Sequence, residues 1–370
     1  MNTITRTVAV ATASVVVLCL SGRQRSDAQG TTVGRTDSGA AHVLASLGRM
    51  IAPSRVLWKF KTGAPVASTP TVSGGVVYVA SLDSIVYALD SRTGKEKWQH
   101  KTGGWITASP VVVGGVVYVG TMDAHLYAMD AATGREKWRF KTDGMIGHAP
   151  AVSDGLVCVG SDDHFLYAVD AATGKVKWSF NTGGKVTSSP VVSDGLVYVT
   201  DWDSTLHAVD IRTGVPKWAY HIGNMARSTP TVAGGIVYLG SDNHLLHAVD
   251  AKTGIPTWTF RTGNMVRSAP SVAHGVVYVG SDDHFLYALD AASGQVKWKF
   301  KTGKPIHSDA AVSDGEIYVG SDDHYFYTVH AATGRLKWKF KMGGDVDSFP
   351  VVSDGVVYVG SANHFVYAIR

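Results

Sequence analysis

Cysteine is almost missing from this chain: its 370 residues hold two, Cys19 and Cys158. Cys19 falls in a segment that reads as removed on export, so the mature chain keeps one thiol and cannot form an internal disulfide. Charge is scarce too, at 17% of residues with a formal net charge of +4. The lysines recur beside one repeated tryptophan, as in Lys95, Lys97 and Lys101. They are not gathered on one face with aromatics between them, so no nucleic-acid partner is expected. That pattern fits solvated outer strands guarded against edge pairing. No apolar run reaches the roughly 20 residues a bilayer-spanning helix needs, so any membrane association is indirect. A Ser/His/Asp triad spacing, a phosphate-binding glycine loop and a Cys/His zinc pattern are all absent.

What is present begins with an export signal. Arg6 precedes the apolar run Val8–Leu20, and Ser26 and Ala28 place small residues before a cleavage site, giving a signal peptide over 1–28. Leu18 is bulky for a lipidation site at Cys19, so a secreted or periplasmic location is expected without a lipid anchor. Residues 29–53, rich in Gly, Ser, Thr and Ala, read as a flexible linker, with a short helical turn near Leu44–Met50. The folded body is 54–370.

Within that body, Trp58, Trp98, Trp138, Trp178, Trp218, Trp258, Trp298 and Trp338 recur every 40 residues. A period of this length built from strand-like units marks a propeller. The unit around Trp178 shows why. Ile146–Val152 reads as a first strand, Asp154-Gly155 as a tight turn, and Leu156–Gly160 as a second strand. Phe165–Asp170 follows as a third, and Lys175–Asn181 as a fourth that carries the tryptophan. Short alternating runs divided by Asp-Gly and Thr-Gly turns are hairpins, and four antiparallel strands make one blade. Cys158 stands where other repeats have Tyr78, Tyr118 or Tyr198, inside an apolar strand, so it reads as a buried, inert thiol.

The chain enters this pattern on a fourth-type strand, Val56–Lys61, and ends on a third-type strand, Phe365–Arg370. The N-terminal strand must then complete the last blade. The expected fold is all-β: an eight-bladed propeller of four-stranded antiparallel blades, closed by its own first strand. The valine column Val72, Val112, Val152 and onward reads as packing between blades, and the tryptophans as wedges whose indole N–H groups bond in the turns.

The segment Ala-x-Asp-Ala-Ala-Thr-Gly-x-x-x-Trp, as in Ala168–Trp178 and Ala128–Trp138, resembles the tryptophan-docking repeat of pyrroloquinoline quinone (PQQ) dehydrogenases over about residues 54 to 370. The resemblance implies one of two things. One branch of that superfamily comprises periplasmic quinoprotein alcohol dehydrogenases with PQQ and Ca²⁺ at the propeller axis. The other comprises non-catalytic relatives, such as the propeller lipoprotein of the outer-membrane barrel-assembly machine and sensor domains of receptor kinases. The enzyme branch implies insertions between repeats, adjacent cysteines and a Glu/Asn/Asp calcium set, none of which matches this chain.

Function is therefore sought where repeats differ. In the segment between fourth and first strands, one varying column reads Ala67, Thr107, Gly147, Thr187, Arg227, Arg267, His307, Asp347, and another, two residues on, includes Asp309. Arg227, Arg267, His307, Asp309 and Asp347 are the candidate ligand-binding residues. Paired guanidinium groups hold carboxylates or phosphates, and a histidine between carboxylates can accept a proton. The alternative is an internal ion-pair network that neutralises itself. The turns Asp162-Asp163-His164, Asp242-Asn243-His244 and Asp282-Asp283-His284 suggest metal ligands less than they suggest turn chemistry, since Asp and Asn favour turns through their own backbone bonds. Three functions stay open: an exported binding or scaffold module for an envelope or extracellular protein or a small anionic ligand, without a cofactor; a minimal PQQ-dependent oxidoreductase using Ca²⁺, with Arg227 and Arg267 on the quinone and Asp309 or Asp347 as base; or a structural envelope component.

Overall fold

The computed structural model describes residues 55–346 and 348–370. The signal peptide and linker expected over 1–53, and the candidate residue Asp347, lie outside the described residues. Thirty-two strands form eight four-stranded antiparallel sheets. Blades 1 to 7 span residues 71–101, 111–141, 151–181, 191–221, 231–261, 271–301 and 311–341; blade 8 is 351–369 together with Val56–Lys61.

Each hairpin follows from its turn residues. Asp154 and Gly155 both have positive φ, 51° and 73°. That is the type I′ geometry whose twist matches the flanking strands, Ser153 pairing with Leu156. Three of the four strands expected for this blade appear nearly as expected, at Leu156–Gly160, Phe165–Asp170 and Val176–Asn181. The first does not. It is only Ala151–Ser153, not Ile146–Val152. Pro150 has no N–H to give a ladder, so the chain ahead of it crosses the top of the blade as irregular backbone.

The tryptophans join blades rather than closing their own turns. Trp138 Nε1 donates to the Ala171 carbonyl of the next blade at 3.1 Å, and Tyr118 OH donates to the same oxygen at 3.2 Å. The indole lies against Gly174, where a Cβ would sit 2.6 Å from the ring. The Thr-Gly glycine thus serves two needs, a φ of 70° and an indole resting on its α-carbon.

The last junction uses the same parts. Val56–Lys61 pairs antiparallel with Phe365–Ile369, Trp58 opposite Ala368. Arg55 and Arg370 exchange backbone hydrogen bonds of 2.8 and 3.0 Å. Trp58 from the start of the body and Tyr358 from its end both donate to the Ser91 carbonyl of blade 1, at 2.9 and 3.1 Å. The ring is closed, and each apolar cluster draws on two neighbouring blades, as with Cys158 and Leu166 of blade 3 against Val197 and Val209 of blade 4.

Candidate functional site

Two sets of turns meet on one face of the disc. In every blade the N–H at the start of the second turn bonds to a carbonyl in the crossing segment. Asp162 N donates to Met145 O at 2.9 Å, Asp242 N to Met225 O at 2.9 Å, and Asp322 N to Pro305 O at 3.1 Å. The varying columns of the crossing segment therefore lie beside the varying residues of the turn.

This adjacency assembles three of the candidates into a chain of alternating charge. Arg227 Nε is 3.2 Å from Asp242 Oδ2. Arg267 bridges two blades, 3.7 Å from Asp242 and 3.4 Å from Asp282. His307 does the same, 3.0 Å from Asp282 and 3.2 Å from Asp322. Arg227 Nε donates a hydrogen bond to Asp242 Oδ2, while buried atoms at the other links, including Asp282 Oδ1 and His307 Nε2, are held by ion pairing. Three cations and three carboxylates alternate across blades 5 to 7.

His307 sits between two carboxylates, but they are Asp282 and Asp322, not the neighbours in its own crossing segment. They push its pKa up to about 10, against the opposing effect of burial. At neutral pH it is an imidazolium, a charge in the belt and not a proton acceptor. The carboxylates come from the turn column Leu82, Met122, Asp162, Trp202, Asp242, Asp282, Asp322, Ala362, whose acidic run over blades 5 to 7 mirrors the basic run in the crossing segments. That matched run was the available signal.

Asp309 stands apart. It does not touch His307; its Oδ1 accepts the N–H of Ala269 in the neighbouring blade. It lines a cavity on the propeller axis with Thr69, Ser109, Ser189, Thr229 and Phe349, one residue per blade at the same repeat position. Burial raises its carboxyl well above the usual range. The cavity is about 30 Å³, room for one or two waters.

The later aspartate of the second turn is spent locally, as Asp163 shows. Asp163 accepts from Phe165 N at 3.1 Å, from Tyr167 OH at 2.9 Å and from Asp143 N at 3.0 Å. Among the described residues no group of three or more His, Cys, Asp or Glu side chains is arranged to hold a metal ion. In blade 4 the tyrosine becomes His207, and its partner shifts to the buried Asp201, 2.7 Å away. Sequence reading missed this pair, although Asp201 breaks a column of Ser and Thr just as His207 breaks one of Tyr. Cys158 is buried, with its thiol pushed up to about 12 by burial.

No curated protein matches this chain. Among solved structures, BamB from Moraxella catarrhalis is 20% identical with a TM-score of 0.73, over 86% of this chain and 98% of that one. Quinohemoprotein alcohol dehydrogenase from Comamonas testosteroni is 18% identical with a TM-score of 0.74, over 85% and 76%. The computationally designed Ika8 protein is 18% identical with a TM-score of 0.73, over 83% and 96%. At these identities the likeness is one of fold, shared by an assembly factor, an enzyme and a design. The family model described as outer membrane protein assembly factor BamB matches residues 22–121, 123–226, 222–310 and 286–370. With its repeats spanning the propeller from blade 1 to blade 8, the chain belongs to that family of PQQ-like propellers.

Proposed function

We propose that this protein is an exported, non-catalytic binding or scaffold module that offers one face of a rigid disc, the face bearing the belt, to a partner protein of the cell envelope. The observation that carries the reading is that the charges of the belt already neutralise one another. To grip a carboxylate or phosphate, Arg227 and Arg267 would have to release Asp242 and Asp282. The axial cavity of about 30 Å³ also falls far below the roughly 300–1,000 Å³ of small-molecule sites. Both favour a protein partner over a small anion or PQQ with Ca²⁺. The description of the matching family as an outer membrane assembly factor supports an envelope location, as does the export signal expected over 1–28.

Two experiments test this. Purified protein given PQQ and Ca²⁺ is expected to show no change in quinone absorbance and no dye reduction; turnover would restore the oxidoreductase reading. A photo-crosslinker at Asn224, on the belt face, is expected to trap an envelope protein, whereas one at Asp194, in a turn on the opposite face, is not. Adducts at Asp194 alone would assign the wrong face, and adducts at neither position would refute a partner-binding role.

A further inference from the structure

The belt face is chemically divided. Blades 2 to 4 carry large apolar side chains open to water at two positions of this face. One is the turn position that holds the belt carboxylates in blades 5 to 7, and the other is the crossing-segment position two residues before the belt cations. Trp105 is 66% exposed, Trp202 50% and Met145 42%. Half-buried Met122, Met225 and Met265 occupy the same two positions in blades 2, 5 and 6. The eight repeat tryptophans are half-buried or buried between blades; these two indoles contribute nothing comparable to the fold. Exposed tryptophan and methionine gathered in one sector are what binding surfaces show and what a solvent face avoids.

The charge of this sector is acidic. Asp143 and Asp203 are exposed and make no ion pair among the described residues. Lys185 is committed to Asp162 at 3.1 Å and lies 5.9 Å from the Trp202 ring. With the outer-strand ends counted, Asp123, Asp143, Asp162, Asp163 and Asp203 still outnumber Lys101, Lys141 and Lys185. The apolar residues come one or two per blade from successive blades, so they form a row and not a pocket.

We infer that this arc across blades 2 to 4 is the docking surface for an extended, basic and apolar segment of a partner protein. Its apolar side chains lie against Trp105, Met145 and Trp202, and its arginines or lysines against Asp143 and Asp203. Arginine suits both, pairing with carboxylates and stacking on indole, while methionine adapts to side chains of varied shape. This inference rests on the partner-binding reading above and adds the sector and the chemistry of the partner.

The test uses two labelled nonapeptides, one alternating leucine with arginine and one alternating leucine with glutamate, titrated against the purified full chain by fluorescence anisotropy. The arginine peptide is expected to bind at least about tenfold more tightly and to shift tryptophan emission to shorter wavelength as Trp105 and Trp202 lose water. Trp105→Ala and Trp202→Ala should each weaken binding about tenfold with an unchanged unfolding midpoint, since both side chains are exposed. Asp143→Asn with Asp203→Asn should erase most of the preference between peptides. Equal affinity for both peptides, no binding of either, or wild-type binding by both tryptophan variants overturns the inference. Crosslinking from Asn224 that persists in the tryptophan variants would discard this arc while leaving the broader reading standing.

Discussion

Arg267 carries more of the belt than Arg227, because it serves two carboxylates from two blades and is 34% exposed where Arg227 is 52%. Removing it leaves the nearly buried Asp282 with His307 alone and frees Asp242 on one side. Arg267→Ala is expected to cost about 1–3 kcal/mol, and Arg227→Ala no more than ~1 kcal/mol, measured by urea unfolding. Equal costs would mean that Arg227, too, is held by the network. The two perturbed groups of this region, one base and one acid, are both raised, so both contributions fall as pH rises, over different windows. His307 has a folded pKa near 10, above the ordinary imidazole value of about 6.5. Its stabilising contribution is complete below that value and is lost as pH climbs towards 10. Asp309 is also raised, but as a carboxyl it favours the fold only while protonated. Its contribution is present below about pH 3.9 and falls as pH rises above it. Unfolding midpoints from pH 3.5 to 10 should therefore flatten at the alkaline end in His307→Gln. Asp309→Asn should exceed wild type at pH 7, with the gap closing near pH 3.5.

Among the strands and turns, the sharpest comparison is between two glycines of one blade. Gly155 and Gly174 share a left-handed backbone, with φ of 73° and 70°. A Cβ at Gly155 meets nothing within 4 Å, whereas at Gly174 it meets the Trp138 ring at 2.6 Å. Gly155→Ala should cost about 1 kcal/mol from backbone strain alone. Gly174→Ala should cost about 3 kcal/mol, since the same backbone strain is joined by overpacking against an indole that must leave its seat. Thermal unfolding of the two variants measures the difference; similar losses would show that the glycine is there for its φ and not for the tryptophan. Turn residues and strand alternation marked three strands of every blade. The first strand came out too long because alternation at 146–152 continues past Pro150, and alternation alone does not reveal where the ladder lacks a donor.

At the scale of the molecule, closure depends on six residues. Val56–Lys61 supplies the outer strand of blade 8 and buries Trp58 with Tyr358, Val366 and Ala368. Loss of the Trp58 side chain alone is worth about 3–5 kcal/mol. A chain starting after residue 61 also loses the strand pairing to Phe365–Ile369 and opens blade 8 to solvent. It should unfold in two steps or aggregate, where the chain starting at residue 54 unfolds in one. A single transition at the same midpoint in both, followed by calorimetry, would show that the disc does not need its clasp.

What the linear chain determined by itself was periodic: forty-residue spacing, hairpin turns, eight blades and a clasp formed by a fourth-type strand at one end and a third-type strand at the other. These follow from local physics, since turn chemistry and alternation act over a few residues and repeat. Which side chains meet was another matter. Arg267 was legible as unusual, but its partners Asp242 and Asp282 sit 25 residues before it and 15 after it, brought together only when the turns of adjacent blades meet on one face. Asp309 looked like a neighbour of His307 two positions away, yet strand-like alternation breaks in the crossing segment, and the fold sends one to the axis and the other to the belt. The division of that face into an acidic apolar arc and a self-neutralised belt exists only in the closed ring, because residues of like character become neighbours there through the order of blades and not through proximity along the chain.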